Sequence, residues 1–454
     1  MTEKRKDQLE SELSTNFADN NTGAITPQIY RDYMTNVMDS YDIWSAADTT
    51  YYVRATGDDA NDGLSAGNAL ATIQEAVNRL PRVVRHALTI DIGEGDFDGA
   101  AFEGFRVTAS STAEGRLRVL GALGAPTGVG TPLTGTADSG STTTLGLSTA
   151  AWTVNALKGM LVLSNSEYRT IASNTADTIT FQGEFSATTD AKAFSIVESK
   201  TNIDTIETFA SSACIYVAGC STNWRKNMVF ENLKLSPPAS GFAGFMAFET
   251  EGLQLKTCQV VGTSGHSNGV LIQSVTGEFS IEDVSVTGPF SAAAFNLVWN
   301  SGTCRLLRGG ADTITSSGKG ASLQYSTGAI EAIDFTANAC SSVGVQIQGC
   351  TRAAIDRMVS SNNSSCGIKA ENCWVIVADG SKLTGAANAT FGVRALPRTH
   401  FEFSASSGVP TITGATADAT NNEGASTLSW SSNFGTDGSI APNSDTHTSI
   451  YRND

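Results

Sequence analysis

Along the second half of the chain, apolar positions recur in short alternating runs, and the runs themselves repeat. Seven segments open on a small residue followed by an extended apolar stretch: GFMAFE at Gly244, GVLIQS at Gly269, AFNLVW at Ala294, ASLQYS at Ala321, GVQIQG at Gly344, GIKAEN at Gly367 and GVRALP at Gly392. Their starts lie 25, 25, 27, 23, 23 and 25 residues apart. A second run recurs between them, as LQLKTCQVVG at Leu253, FSIEDVSVTG at Phe279 and AAIDRMVSSN at Ala353, with an earlier copy, FENLKLS, at Phe230. So short a period has room for about three strands of ~5 residues joined by turns. Winding such units predicts an all-β chain, a parallel β-solenoid whose stacked coils share one core.

Period-two alternation sorts each first strand into two faces. The second positions (Phe245, Val270, Phe295, Ser322, Val345, Ile368, Val393) and the fourth (Ala247, Ile272, Leu297, Gln324, Ile347, Ala370, Ala395) are mostly apolar or small and are expected inside. On the opposite face Met246, Phe248, Leu271, Val298, Leu323 and Tyr325 form an apolar stripe. Such a stripe suggests an interface, here between copies of the chain around a symmetry axis, with cover by loops of the same chain as the alternative.

Upstream, GDDANDGLSAGNALATIQEAVNRLP (Gly57 to Pro81) sets an acidic, glycine-punctuated loop before a short helix. Calcium-loop spacing fails in it, because Ala60 and Ala69 fall where ligands are required. Turn formation explains the Asp and Asn residues, and no metal or cofactor is expected. Thr72 and Glu75 are spaced as a capping box. Ile73, Ala76, Val77 and Leu80 then share one stripe, predicting a helix over 73–80 that closes the first coil. Residues 127–200 show strands of uneven spacing and are expected to form an inserted β domain, with Trp152 either a sugar-stacking aromatic or a core residue.

Near the start, Thr26 and Pro27 suit a helix N-terminus. Beyond them Ile29, Tyr33, Val37 and Tyr41 form an apolar stripe wide enough to need a docking partner. The expected organisation is therefore an N-terminal helical segment (1–48), the first coils (49–126), the insert (127–200), further coils (201–411) and a C-terminal cap or trimer clasp (412–454).

Charge narrows the partners. The formal net charge is −16, which argues against nucleic-acid backbones and anionic membranes. No apolar run is long enough to insert in a bilayer, and the first residues lack the apolar core of a secretory signal. Synthesis in a cytoplasm is expected. Eight cysteines without CxxC spacing read as buried thiols, and four histidines leave little material for His chemistry.

With the repeat and its lead-in in view, the chain resembles the pectate-lyase-like right-handed, single-stranded parallel β-helices of phage tail fibres and tailspikes. The likeness rests on YYVRATGDDANDGLSAGNALATIQEAVNRLP followed by TIDIGEGDF, and on the NTGAITPQIYRDYM stretch near the start. It implies a homotrimeric virion protein made in a bacterial host. The N-terminus would attach to other tail or baseplate proteins, and the chain would mediate host attachment by binding surface polysaccharide. Some tailspikes also cut that polysaccharide, as hydrolases or lyases.

A hydrolytic site needs two carboxyls about 5–5.5 Å or about 6.5–9.5 Å apart. Glu249 and Glu251, read as alternate residues of a strand, would lie about 7 Å apart. Glu278 and Glu282, on one outward face, would lie roughly 13 Å apart. Solvated surface acids explain all four as well, so attachment is the expected function and polysaccharide cleavage the alternative.

Overall fold

In a computed structural model the described residues are 45–108, 115–204, 213–222, 227–238, 242–263, 266–316, 318–378, 382–384 and 391–403, followed by the strands 411–413, 417–421, 427–431, 440–442 and 449–453. The expected attachment helix, with Ile29, Tyr33, Val37 and Tyr41, lies outside them.

Among the described residues, three parallel sheets of 13, 10 and 11 strands run alongside one another through the coils. One coil shows the plan: Phe279–Glu282 in the first sheet, Ser285–Gly288 in the second, Phe290–Val298 in the third. The chain then rises to Cys304–Leu307, again in the first sheet. Side chains from all three sheets meet in one continuous core. Each buried aliphatic contributes roughly 1.5–3 kcal/mol. Edge-to-face rings stitch neighbouring coils together. Phe230 packs 5.2 Å from Phe102 and 5.1 Å from Phe245, centroid to centroid.

The expected inward positions hold in six of the seven coils. Ser322 and Leu323 are the exception. The ladder pairs Ala321 with Val345 and Leu323 with Ile347, so Gly320, not Ala321, is the counterpart of Gly344. Leu323 therefore faces the core instead of the outer stripe, and Ser322 takes the outward place. The ladders also continue past 411. Ala417–Asn421, Thr427–Ser431, Ile440–Pro442 and Ser449–Asn453 pair in parallel with the strands before them. Coils thus extend into the segment expected as a cap.

The helix spans Ile73–Asn78, shorter than expected, with Leu80 still in the core beside Ile73, Ala76 and Val77. Thr72 caps it, accepting from the Glu75 N–H at 3.1 Å. The reciprocal half of the capping box is made by another residue. Asp59 accepts from the Ala71 and Thr72 N–H groups and from the Thr72 hydroxyl, each at 2.9 Å. Glu75 instead pairs with Arg79 at 2.8 Å. Asp58 and Asp62 each accept an N–H two residues on, the behaviour of turn-forming side chains.

The insert leaves the second coil at the corner between the first and second sheets. Its stem pairs Leu123–Gly124 with Glu198–Ser199, and its antiparallel strands enclose a core of their own. Trp152 belongs to that core, donating to the Pro132 carbonyl at 2.8 Å. Two glycine turns press the insert onto later coils. The Gly159 carbonyl accepts from Gln259 at 2.7 Å and from Ser285 at 3.3 Å. At Gly183 a Cβ would stand 2.7 Å from Arg308 Cγ, and φ is +74°, so only glycine fits without displacement. Lys158 pairs with Asp312, and Gln182 donates to Thr336 at 3.0 Å. No helix among the described residues is long and apolar enough to cross a membrane.

Candidate functional site

Where the third sheet hands over to the first, successive coils among the described residues turn on one left-handed residue. Gly219, Glu249, Ser274, Trp299, Tyr325, Gly349, Asn372 and Arg398 form this column, with φ between 47° and 63°. Left-handed backbone costs a non-glycine residue roughly 1–2 kcal/mol. Ladder bonds offset it: the Ser274 N–H reaches the Val298 carbonyl at 3.0 Å, Trp299 reaches Gln324 at 3.0 Å and Tyr325 reaches Gln348 at 2.7 Å. The residue after each turn points inward and is small, as in Cys220, Thr250, Asn300, Ser326 and Cys350. Their donors return to backbone carbonyls, as Asn300 does to Ile272 and Cys350 to Leu323. The corner geometry is thus fixed by backbone and inward slot, leaving the turn residue's side chain outside.

Aromatic rings occupy that outside position on successive coils. Trp299 is 57% exposed and Tyr325 46%, and their rings stack at 6.5 Å with 27° between planes. Gly349 sits below them; a Cβ there would be 2.7 Å from the Tyr325 ring, so glycine lets the ring lie flat. Trp374, two residues past Asn372, is 48% exposed and meets His400 edge-on at 5.3 Å. These are three of the six exposed large hydrophobics among the described residues, gathered on one edge. Trp299 and Trp374 lie three coils apart, about 14 Å at the parallel-strand spacing.

A row of amides flanks the rings on the third sheet's outer face. Gln324 donates to Ser322 at 2.9 Å, Gln346 to Gln348 at 3.4 Å, and Gln348 to Glu371 at 3.2 Å. Flat apolar faces beside amides that both donate and accept suit a ligand with apolar C–H faces and hydroxyl edges.

The four acids expected as catalytic candidates are dispersed. Glu249 and Glu251 are both exposed, but the strand ends at Phe248 and Glu249 is in the turn. Thr250, buried between them, donates to the Cys220 carbonyl at 2.8 Å. The strand-based separation of about 7 Å therefore does not apply. Glu278 pairs with Arg305 at 3.1 Å, which also holds Glu331 at 2.9 Å. Glu282 lies 3.7 Å from Arg308.

On the expected interface stripe, Leu271 is buried with Ala213 and Ala243, and Met246 packs against them. Phe248 and Val298 are half-buried, and Tyr325 belongs to the corner column instead of the strand.

A second left-handed column, Asn232, Thr257, Asp283, Arg308, Asp334 and Arg357, marks the corner beneath the insert. Asp283 is only 3% exposed and takes Arg308 Nη2 at 3.1 Å and Nε at 3.3 Å. Burial outweighs that pairing and lifts its carboxyl from an ordinary 3.8 to about 6. For the less buried Arg308 the balance reverses, and Asp283 raises its pKa despite desolvation. Arg357 bridges Asp334 at 2.7 Å and Asp356 at 2.8 Å. This network seats the insert's Gly183 tip.

Among the described residues no group of three or more His, Cys, Asp or Glu side chains is placed to hold a metal. All eight cysteines are buried thiols. Burial pushes Cys258 and Cys340 up to about 12, far from nucleophilic thiolates.

No family model matches the chain, and no curated protein matches it. Solved structures share its fold. An alginate lyase from Paenibacillus sp. str. FPU-7 aligns with a TM-score of 0.41 at 8% identity, over 83% of this chain and 99% of its own. Pectate lyase Pel9A aligns at 0.38 and 10%, over 90% and 79%. The tailspike protein gp49 from Pseudomonas phage LKA1 gives 0.23 and 11%, over 82% and 66%. At these values the likeness is one of fold alone.

Proposed function

We propose that this chain is a glycan-binding β-solenoid of a phage tail fibre or tailspike. In this reading a host-surface polysaccharide lies along the Trp299–Tyr325–Trp374 edge. The observation that carries it is the exposed, stacked Trp299–Tyr325 pair on consecutive coils. The half-buried Met246 and Phe248 support association of copies through the earlier coils of the third sheet. The N-terminal stripe supports docking to the virion.

The test is retention on host capsule or lipopolysaccharide by affinity electrophoresis. Trp299→Ala with Tyr325→Ala should abolish retention while leaving the β-sheet circular dichroism unchanged; retention equal to wild type removes the proposal. Polysaccharide cleavage is a second reading, favoured by Glu249, which stands in the same column two rows from Trp299. It requires shortened glycan with the wild type and intact glycan with Glu249→Gln plus Glu251→Gln.

A further inference from the structure

The outer face of the third sheet changes character as it descends past the aromatic pair. One outward column runs Met246, Leu271, Asn296, Ser322, Gln346, Lys369, Arg394. It passes from apolar through neutral polar to cationic within seven coils. Beside it, the column Asn268, Ala293, Lys319 brings in a third cation. Lys369 and Arg394 are direct partners across adjacent strands. All three are half-buried.

A cation with a like charge as its cross-strand neighbour, as Lys369 has in Arg394, is disfavoured unless something answers it. Neither Lys319 nor Lys369 forms an ion pair with an acid among the described residues. Glu371, the acid on the same strand face as Lys369, holds the Gln348 amide. Burial and then the charge of Lys369 lower the pKa of Lys319, the signature of an ammonium short of counter-charge. Elsewhere on this chain of net charge −16 the acids are regularly met by arginines, as at Glu278, Asp283 and Asp334.

We infer that Lys319 and Lys369, with Arg394 alongside, form a binding site for the anionic groups of an acidic polysaccharide, carboxylate or sulfate. This rests on the glycan-binding reading and narrows its ligand to a charged chain. Gln346, in the outward column between Ser322 and Lys369, offers an amide to the same chain. A glycan stacked on Trp299 and Tyr325 reaches the cations by crossing the Gln324 and Gln348 row.

The test uses the full chain with polygalacturonate, dextran sulfate and neutral dextran of matched length, measured by affinity electrophoresis. Wild type should bind at least one acidic polymer and weaken as salt rises; preference for one of them assigns carboxylate or sulfate. Lys319→Gln with Lys369→Gln should bind it about tenfold or more weakly, the loss expected for charge-assisted bonds. Lys319→Arg with Lys369→Arg should retain binding. In parallel, galacturonate or sodium sulfate, against sodium chloride at equal ionic strength, should raise the melting temperature of wild type by more than that of the Gln variant, sulfate stabilising both through its general kosmotropic effect. Equal binding of acidic polymers by wild type and the Gln variant overturns the inference, as does dextran binding as tight as the acidic chains. If Trp299→Ala with Tyr325→Ala binds normally while the Gln variant fails, the aromatic edge is dismissed and the cationic site stands. The reverse pattern dismisses the cationic site alone.

Discussion

Asp283 offers the sharpest test of the forces at the insert–solenoid corner, because two strong effects oppose each other there. Arg308 favours the carboxylate, and burial at 3% exposure disfavours it. Burial wins, holding the carboxyl at about 6 against an ordinary 3.8. An acid whose folded pKa is raised binds its proton more tightly folded than unfolded. Its contribution to stability is therefore greatest below about pH 4 and is lost as pH rises towards about 6, remaining lost above it. A shift of roughly two units at 1.36 kcal/mol each amounts to about 3 kcal/mol.

Asp283→Asn cannot titrate and serves as the reference. Urea unfolding of both proteins at a series of pH values should give a difference, wild type minus variant, that falls by about 3 kcal/mol between about pH 4 and pH 7. Arg308→Met should move the midpoint higher, since it removes the attraction and leaves the burial. A difference that is flat, or that rises with pH, would falsify the claim that desolvation dominates this corner.

Three further outcomes follow from named contacts. Asp59→Ala, which strips three bonds from the helix start, should cost about 1–2 kcal/mol; Glu75→Ala should cost only about 0.3–0.5, an ordering that thermal unfolding can check. Gly183→Val must add a branched side chain at φ +74° against Arg308. Faster hydrogen exchange in the insert's strands, with the outer ladders of the solenoid unaffected, is the expected result. Phe230→Ala removes a ring wedged between Phe102 and Phe245 and should destabilise the solenoid by about 3–5 kcal/mol, read from the denaturation midpoint.

The solenoid was legible because its strands obey period two and its coils obey a narrow length range. One coil misled. The start spacings of 27 and then 23 residues arise because ASLQYS begins at Ala321, one residue past Gly320, the counterpart of Gly344. Shifting by one evens the spacings and turns Leu323 inward. The capping residue was harder to find, since Asp59 reaches Thr72 across 13 positions and local spacing favours Glu75. The aromatic edge left a readable trace: Trp299 and Tyr325 each come immediately after the strand, where other coils carry Glu, Ser, Gly or Asn. Recognising it required knowing that this place is a left-handed corner, which alternation does not reveal. Alternation also could not pair Arg305 or Arg308 with acids on other coils, because those pairings depend on which strands become neighbours.

The corner column has one more consequence. Its rows are set by the hydrogen-bonding distance between strands, so groups displayed there can be separated only in steps of about 4.8 Å. The edge behaves as a graduated scale whose marks are the coils. Adding or deleting a whole coil between Tyr325 and Trp374 would move two ring positions apart or together by one graduation, without disturbing the contacts of either. Ligand length could then be retuned by counting coils, with no change to the residues that touch the ligand.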